Sequence, residues 1–439
     1  MSDPKSRSQE LYDRALKIMP GGASRNTILR KPHPLYVERG EGSRVIDVEG
    51  VERIDFANNM ASLIHGHAHP AIVEAVAAQL ARGTAFTLGT EAEIEYAEHM
   101  IGRADAFEKI RFVNSGPEAV MGCLKASRAF TGRPKIAKVE GAYHGLYDFA
   151  EISQTAKPES WGDANHPESV PVAYGTPKGV LDDVIIIPFN DPERAVALLD
   201  EHADEIACVL VDPVPHRVGL IPIAPEFVHA LREWADRNGS LLVFDEVITF
   251  RVGYGGVQES LGVRPDLTAM GKMIGGGFPV GALAGRREVM DVMDPLADKV
   301  LFPHSGTFSA NPITMTAGLA AMTLYDRKAV EKLNALADRA RGQIEDAISE
   351  AGVAACVTGA GSMLRVHFKP EPPSDYRSAF MSPDEAGMLK VFLDHLFDNG
   401  IIMINTGTVM LSTVMTGRDI DTLSEAMLGG LRKVKELSS

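Results

Sequence analysis

The sequence predicts an α/β protein, with a large domain built on a mostly parallel, doubly wound sheet and a smaller α+β domain assembled from both ends of the chain. Three observations carry this. The middle of the chain alternates short β-rich runs with longer helical patterns, the rhythm of strands joined by crossover helices. The run 241–244 (Leu-Leu-Val-Phe) is continuously apolar, as a parallel strand covered on both faces should be. The two ends instead carry alternating strands and long amphipathic helices.

Residues 8–19 form an amphipathic pattern closed by Pro20-Gly21-Gly22, which interrupt a helix. Residues 34–39 and 44–47 alternate like strands, with Gly40 and Gly42 between them. In the middle, 110–113 reads as a strand and 118–130 as the helix after it. Residues 135–139 form a further strand, 184–188 another, and 193–201 the following helix. Strand 206–211 precedes helix 226–237, and strand 241–244 follows. The C-terminal part opens with a helix over 329–350, continues with strands at 363–368, 401–404 and 409–412, and ends in a helix over 420–436. These readings place the domain boundaries at 1–59, 60–326 and 327–439, the first and last segments together forming the smaller domain. Residues 152–181 are rich in Pro, Gly and Ser with little periodicity; they read as a surface excursion or as a mobile lid.

The chain has 439 residues, with 44 Lys+Arg against 59 Asp+Glu and a formal net charge of −15. That balance argues against nucleic-acid and anionic-membrane partners, which need a positive field. Cys123, Cys208 and Cys356 are too few and too scattered for a disulfide framework or a structural zinc site. The N-terminal stretch lacks the apolar core of a secretory signal, and no apolar run reaches the length of a membrane span. A reducing, soluble, cytoplasmic setting is the expectation.

Asp245 closes the apolar run 241–244. A carboxylate there faces the crevice in which open α/β sheets bind ligands, or it caps the next turn. Lys272 stands between the apolar segment 267–270 and the cluster Gly275-Gly276-Gly277. It is either a snorkelling lysine at a strand end or an amine activated by burial, able to condense with an aldehyde. Asn114-Ser115-Gly116-Pro117-Glu118 leads from strand to helix, where backbone N–H groups favour a phosphate, although Pro117 contributes none. Tyr143-His144-Gly145 offers a ring that could stack on a planar ligand or simply fill the core. His65, His67 and His69 are read as a turn before helix 71–81. They lack a zinc-type ligand pattern, and no metal is expected.

In this order, Ser115-Gly116, Tyr143-His144-Gly145, Asp245-Glu246-Val247, Lys272 and Gly306-Thr307-Phe308 resemble the class III aminotransferases, pyridoxal-phosphate enzymes of fold type I. The likeness extends over nearly the whole chain. Pro20-Gly21-Gly22, 65–73, Arg111–Gly116 in the order Arg-Phe-Val-Asn-Ser-Gly, Tyr254-Gly255-Gly256-Val257-Gln258 and 271–277 resemble the branch of glutamate-1-semialdehyde aminomutase. Asn58-Asn59 and Ser62–His67 look more like its aromatic β-amino acid aminotransferases.

The resemblance implies pyridoxal 5'-phosphate as cofactor, with Lys272 as its covalent anchor and proton carrier and Asp245 facing the pyridine nitrogen. It further implies Tyr143 and Val247 on the two ring faces, His144 beside them, Ser115, Gly116 and Pro117 at the phosphate, and Thr307 reaching the phosphate of a neighbouring subunit. A homodimer with shared active sites follows. Arg25 matches an arginine that clamps a substrate carboxylate. Where this sequence departs, Pro117 replaces a threonine, Asp212-Pro213 replaces Glu-Pro, Pro215-His216-Arg217 replaces a smaller segment, and Thr406 stands where the β-phenylalanine enzymes carry a second arginine. The implied reaction is a ping-pong transfer of an amino group from an amine or β-amino acid donor to a 2-oxo acid. The alternatives are an intramolecular, aminomutase-type transfer and a non-catalytic cofactor-binding protein.

Overall fold

The structure, a computed structural model, describes residues 5–437; the outermost residues of the two terminal segments, 1–4 and 438–439, lie outside it. A seven-stranded sheet organises the middle of the chain. Its order is Lys109–Val113, Gly281–Gly285, Leu267–Gly271, Leu241–Asp245, Ile206–Val211, Lys135–Val139 and Val184–Ile187. Every strand runs parallel except Gly281–Gly285, which is antiparallel to both neighbours.

Alternate side chains of each strand feed two separate cores, as a period of two requires. Leu241 and Val243 join Val120 and Leu124 of the helix Gly116–Thr131 on one face. Leu242 and Phe244 join Phe227, Leu231 and Trp234 of the helix Pro225–Asn238 on the other. This double cover is why 241–244 is apolar throughout. The antiparallel strand Gly281–Gly285, Gly-Ala-Leu-Ala-Gly, was not foreseen. It has no β-branched or aromatic residue, and small residues suit a strand squeezed between two others: a Cβ on Gly281 would meet the Ser115 carbonyl oxygen at 2.0 Å.

The chain ends build two smaller sheets. Val37–Glu41, Arg44–Asp47 and Glu52–Asp55 form an antiparallel set, and Ile401–Ile402 adds to it in parallel beside Glu52–Asp55. Cys356–Ala360, Met363–His367 and Thr408–Met410 form the other. Three helices, Arg327–Ala351, Pro383–Asp398 and Gly417–Leu437, pack together against them through Leu333, Ile344, Phe392, Leu423 and Leu431. The helix Pro383–Asp398, absent from the sequence reading, starts on a capping box of Ser382 and Glu385 with proline at its first position. The helix expected over 8–19 ends at Ala15. Pro20 drives Met19 into an extended conformation, and the intervening residues only turn.

Within 152–181, residues 156–163 are tied down, while 171–178 are mostly exposed. The Arg377 guanidinium binds Glu140 and donates to the carbonyls of Trp161, Gly162 and Asp163. The Tyr376 hydroxyl donates to the Ala156 carbonyl at 2.7 Å, and Trp161 sits edge-on to Tyr376 and Phe380. That part of the excursion is thus packed on the C-terminal part of the chain.

Candidate active site

Four neighbouring strands of the large sheet deliver their ends to one cavity of about 830 Å³. Asp245 ends its strand, and the adjacent strand Leu267–Gly271 runs straight into Lys272. Both side chains line the cavity. Asp245 accepts from Val247 N–H through Oδ1 at 3.0 Å and from His144 Nδ1 through Oδ2 at 2.7 Å. A carboxylate can only accept, so the imidazole carries its hydrogen on Nδ1. Burial holds the His144 pKa below its ordinary value despite the neighbouring carboxylate, which leaves a neutral ring. His144 therefore aims Asp245 without neutralising it.

Lys272 has a backbone φ of 50°, in the left-handed region that a β-carbon disfavours. Strain of this kind persists where surrounding structure fixes a residue. Burial pushes its pKa down, while Asp245 and then Asp212 pull the other way. Asp212 follows the strand Ile206–Val211, and Val211 pairs with Phe244, so the two aspartates stand side by side. Burial and the Asp245 charge push the Asp212 carboxyl well above its usual range. The pair holds one charge more readily than two. Asp212 escaped the sequence reading as a site residue, yet the rule that found Asp245, a carboxylate ending a buried strand, applies to it equally.

On the next wall, Ser115 caps the helix Gly116–Thr131, its hydroxyl accepting from Glu118 N–H at 3.3 Å. With Pro117 lacking an N–H and Glu118 N–H taken by Ser115, Gly116 N–H is the one left in the first turn of that 16-residue helix without an intrahelical acceptor, where Ser115, Gly116 and Pro117 line the cavity. Gly116 admits the Val247 side chain, since a Cβ there would lie 2.7 Å from it. Gly145, at φ 101°, lets the Tyr143 loop rest against Pro117, 2.6 Å from where its Cβ would be. Tyr143 is 38% exposed and also faces the cavity.

Of the residues singled out from sequence, Ser115, Gly116, Pro117, Tyr143, His144, Asp245, Val247 and Lys272 come together here. Arg25 and Thr307 stand outside this lining, both exposed. Arg25 donates to Asn59 Oδ1 at 2.8 Å, and Asn59 does line the cavity. His65 and His67 serve the fold. His65 bridges Thr413 and the Ala321 carbonyl, and His67 meets Asp55 at 2.9 Å. The helix after them spans Pro70–Leu80.

The wall also includes Asn59, Met60 and Ser62, from a turn in which Asn58, Asn59, Met60 and Ala61 all have positive φ. The side chain of Asn58, donating to the Met410 carbonyl, and the Asp55 carboxylate, accepting from Ala57 and Asn58 N–H, hold it. An Asn-Asn pair was the available signal, since asparagine tolerates this conformation.

The donor set fits pyridoxal phosphate. A carboxylate, an amine, a helix start, an aromatic ring and a branched aliphatic side chain meet in one cavity, and Lys272 Nζ has no hydrogen-bond acceptor among the described residues.

A model of the family described as "Aminotransferase class-III" matches residues 28–428. An ω-transaminase from Sphaerobacter thermophilus shares 44% identity and a TM-score of 0.96, with 99% of each chain covered. A β-phenylalanine aminotransferase from Variovorax paradoxus shares 33% identity and a TM-score of 0.87, over 98% of this chain and 94% of that one. A glutamate-1-semialdehyde 2,1-aminomutase from Methanothermobacter thermautotrophicus is 38% identical over 398 residues, 90% of this chain and 91% of its own.

Proposed function

Because the chain belongs to the class III aminotransferases, enzymes that use pyridoxal 5'-phosphate, we propose that it transfers an amino group from a β-amino acid, or another amine whose carboxylate is not on the reacting carbon, to a 2-oxo acid by a ping-pong route. The observation that carries the choice over an aminomutase is the makeup of the cavity wall. Among the described residues it takes nothing from 152–181, of which Arg377 and Tyr376 strap Ala156 and Trp161 to the body of the protein. An intramolecular transfer has to retain its half-reacted intermediate, and none of that segment lines the cavity among the described residues. The likeness to a Sphaerobacter ω-transaminase and a Variovorax β-phenylalanine aminotransferase supports the same donor class.

When bound, the cofactor supplies a protonated pyridine ring that withdraws electrons from the amine-bearing carbon. In this reading Asp245 keeps that ring nitrogen protonated, and His144 holds Asp245 in place. Lys272, its pKa lowered by burial, anchors the cofactor and then moves the proton on and off the reacting carbon. Ser115 and the first turn of its helix hold the phosphate, while Tyr143 and Val247 confine the ring. A panel of amine and β-amino acid donors, each assayed with pyruvate and with 2-oxoglutarate, tests the reaction class. Turnover of an amino aldehyde with no 2-oxo acid requirement would replace it by the aminomutase.

Arg25 is assigned the donor carboxylate, reached past Asn59 at the cavity edge. A charge-assisted pair of this kind is worth about 1.5–3 kcal/mol, or roughly ten- to hundredfold in a rate constant. Arg25→Ala should lower kcat/KM by about that factor for carboxylate-bearing donors and much less for simple amines. Equal losses would make Arg25 a structural residue.

We assign Thr307 to the cofactor phosphate of a second subunit in a homodimer. It is exposed, as is the adjacent Phe308 at 60%, and it does not line its own chain's cavity. Thr307→Ala should release cofactor faster on dialysis. A fully active monomer by light scattering would overturn the assignment.

A further inference from the structure

We propose that Arg217 recognises the carboxylate of the 2-oxo acid acceptor, an inference that rests on the aminotransferase reading above. The cavity wall holds two strong cations among the described residues, Lys272 and Arg217. Lys272 is committed to the reacting centre. His216 also faces the cavity, but burial holds it neutral, with its pKa pushed down to about 3.

Arg217 is half-buried and has no carboxylate partner. One of its terminal nitrogens donates to the Gln154 carbonyl at 3.2 Å, and its guanidinium carbon lies 4.9 Å from the centre of the Tyr143 ring. A carbonyl and an aromatic face orient the guanidinium but leave its charge uncompensated. Its remaining N–H groups are free for a planar anion, which an arginine fork binds through two parallel bonds.

The chemistry of the two half-reactions asks for two such cations. In a β-amino acid the carboxylate sits one carbon beyond the carbon that bears the amine. In a 2-oxo acid it sits directly on the reacting carbon. Both reacting carbons must come to the same Lys272 amine, so the two carboxylates fall at different places. The nearer one has to be met inside the cavity, where Arg217 lies. The farther one can reach the edge, where Arg25 stands behind Asn59. The wall beside Arg217 is equally fixed: Thr406 and Thr408 hydroxyls lie 3.1 and 3.3 Å from His216 Nε2, the preceding residue.

The test compares wild-type, Arg217→Met and Arg217→Lys holoenzymes, each charged with amine and mixed with pyruvate or with propanal, the acceptor lacking a carboxylate. In parallel, calorimetry measures binding of lactate, a carboxylate that cannot accept the amine. The expected result for Arg217→Met is a roughly ten- to hundredfold lower second-order rate constant with pyruvate, little change with propanal, and a similar weakening of lactate. Arg217→Lys should recover part of each loss. Equal losses with pyruvate and propanal, or lactate binding unchanged in both variants, would overturn the proposal; the first would make Arg217 a support for the Tyr143 loop. A wild-type enzyme inert toward every 2-oxo acid would instead refute the aminotransferase reading, and the lactate titration would then decide Arg217 alone.

Discussion

Lys272→Ala should reduce turnover to background. General acid–base work by a positioned side chain is worth on the order of 10²–10⁴-fold, and this lysine also provides the covalent attachment. No second amine lines the cavity among the described residues, and the only other cationic wall residue, Arg217, cannot give up a proton. The φ of 50° at this position makes the site hard to rebuild from a neighbouring residue, because it sets the direction in which the side chain leaves the strand. Wild-type protein reduced with borohydride and mapped by mass spectrometry should carry its pyridoxyl group on Lys272. An adduct on another lysine, or a variant with substantial activity, would remove Lys272 from the mechanism.

Asp245→Asn should leave the fold intact and lower kcat by about 10²–10³-fold, the scale on which one preorganised electrostatic partner acts. An amide is nearly the same size as a carboxylate, and its oxygen can still accept from Val247 N–H or from His144. What it lacks is the charge that keeps a facing ring nitrogen protonated. Substitution also changes Asp212. Without the Asp245 charge beside it, Asp212 ionises more easily, since that charge helps push its carboxyl up. The double variant Asp245→Asn/Asp212→Asn therefore distinguishes a partial takeover by Asp212 from residual activity of another origin. Near-normal kcat in the single variant would make Asp245 a structural cap.

Much of this site was legible because buried parallel strands announce themselves. The run 241–244 is apolar on both faces, so the first charged residue after it had to stand at a strand end, and Asp245 does. Lys272 was visible by the same contrast, a cation after an apolar run. Two kinds of feature stayed hidden. The strand Gly281–Gly285 is made of residues with little strand preference, and only its neighbours make it a strand. The turn 58–61 owes its conformation to Asp55 and to Met410, the latter about 350 residues away in the chain. The free charge of Arg217 is likewise a tertiary property, since any arginine in a sequence could have found a carboxylate.

The pairing of Ile401–Ile402 with Glu52–Asp55 has a consequence for how the protein is made. The first three strands of that sheet leave the ribosome early, but the strand that completes their edge arrives roughly 350 residues later. At about 5–20 residues per second, that interval is roughly 20–70 s. Throughout it the backbone of Glu52–Asp55 presents an unpaired sheet edge, the kind of surface that pairs with other chains. The nascent chain thus spends that interval with one sheet unfinished, and whatever shields the edge must do so until Ile401–Ile402 emerge.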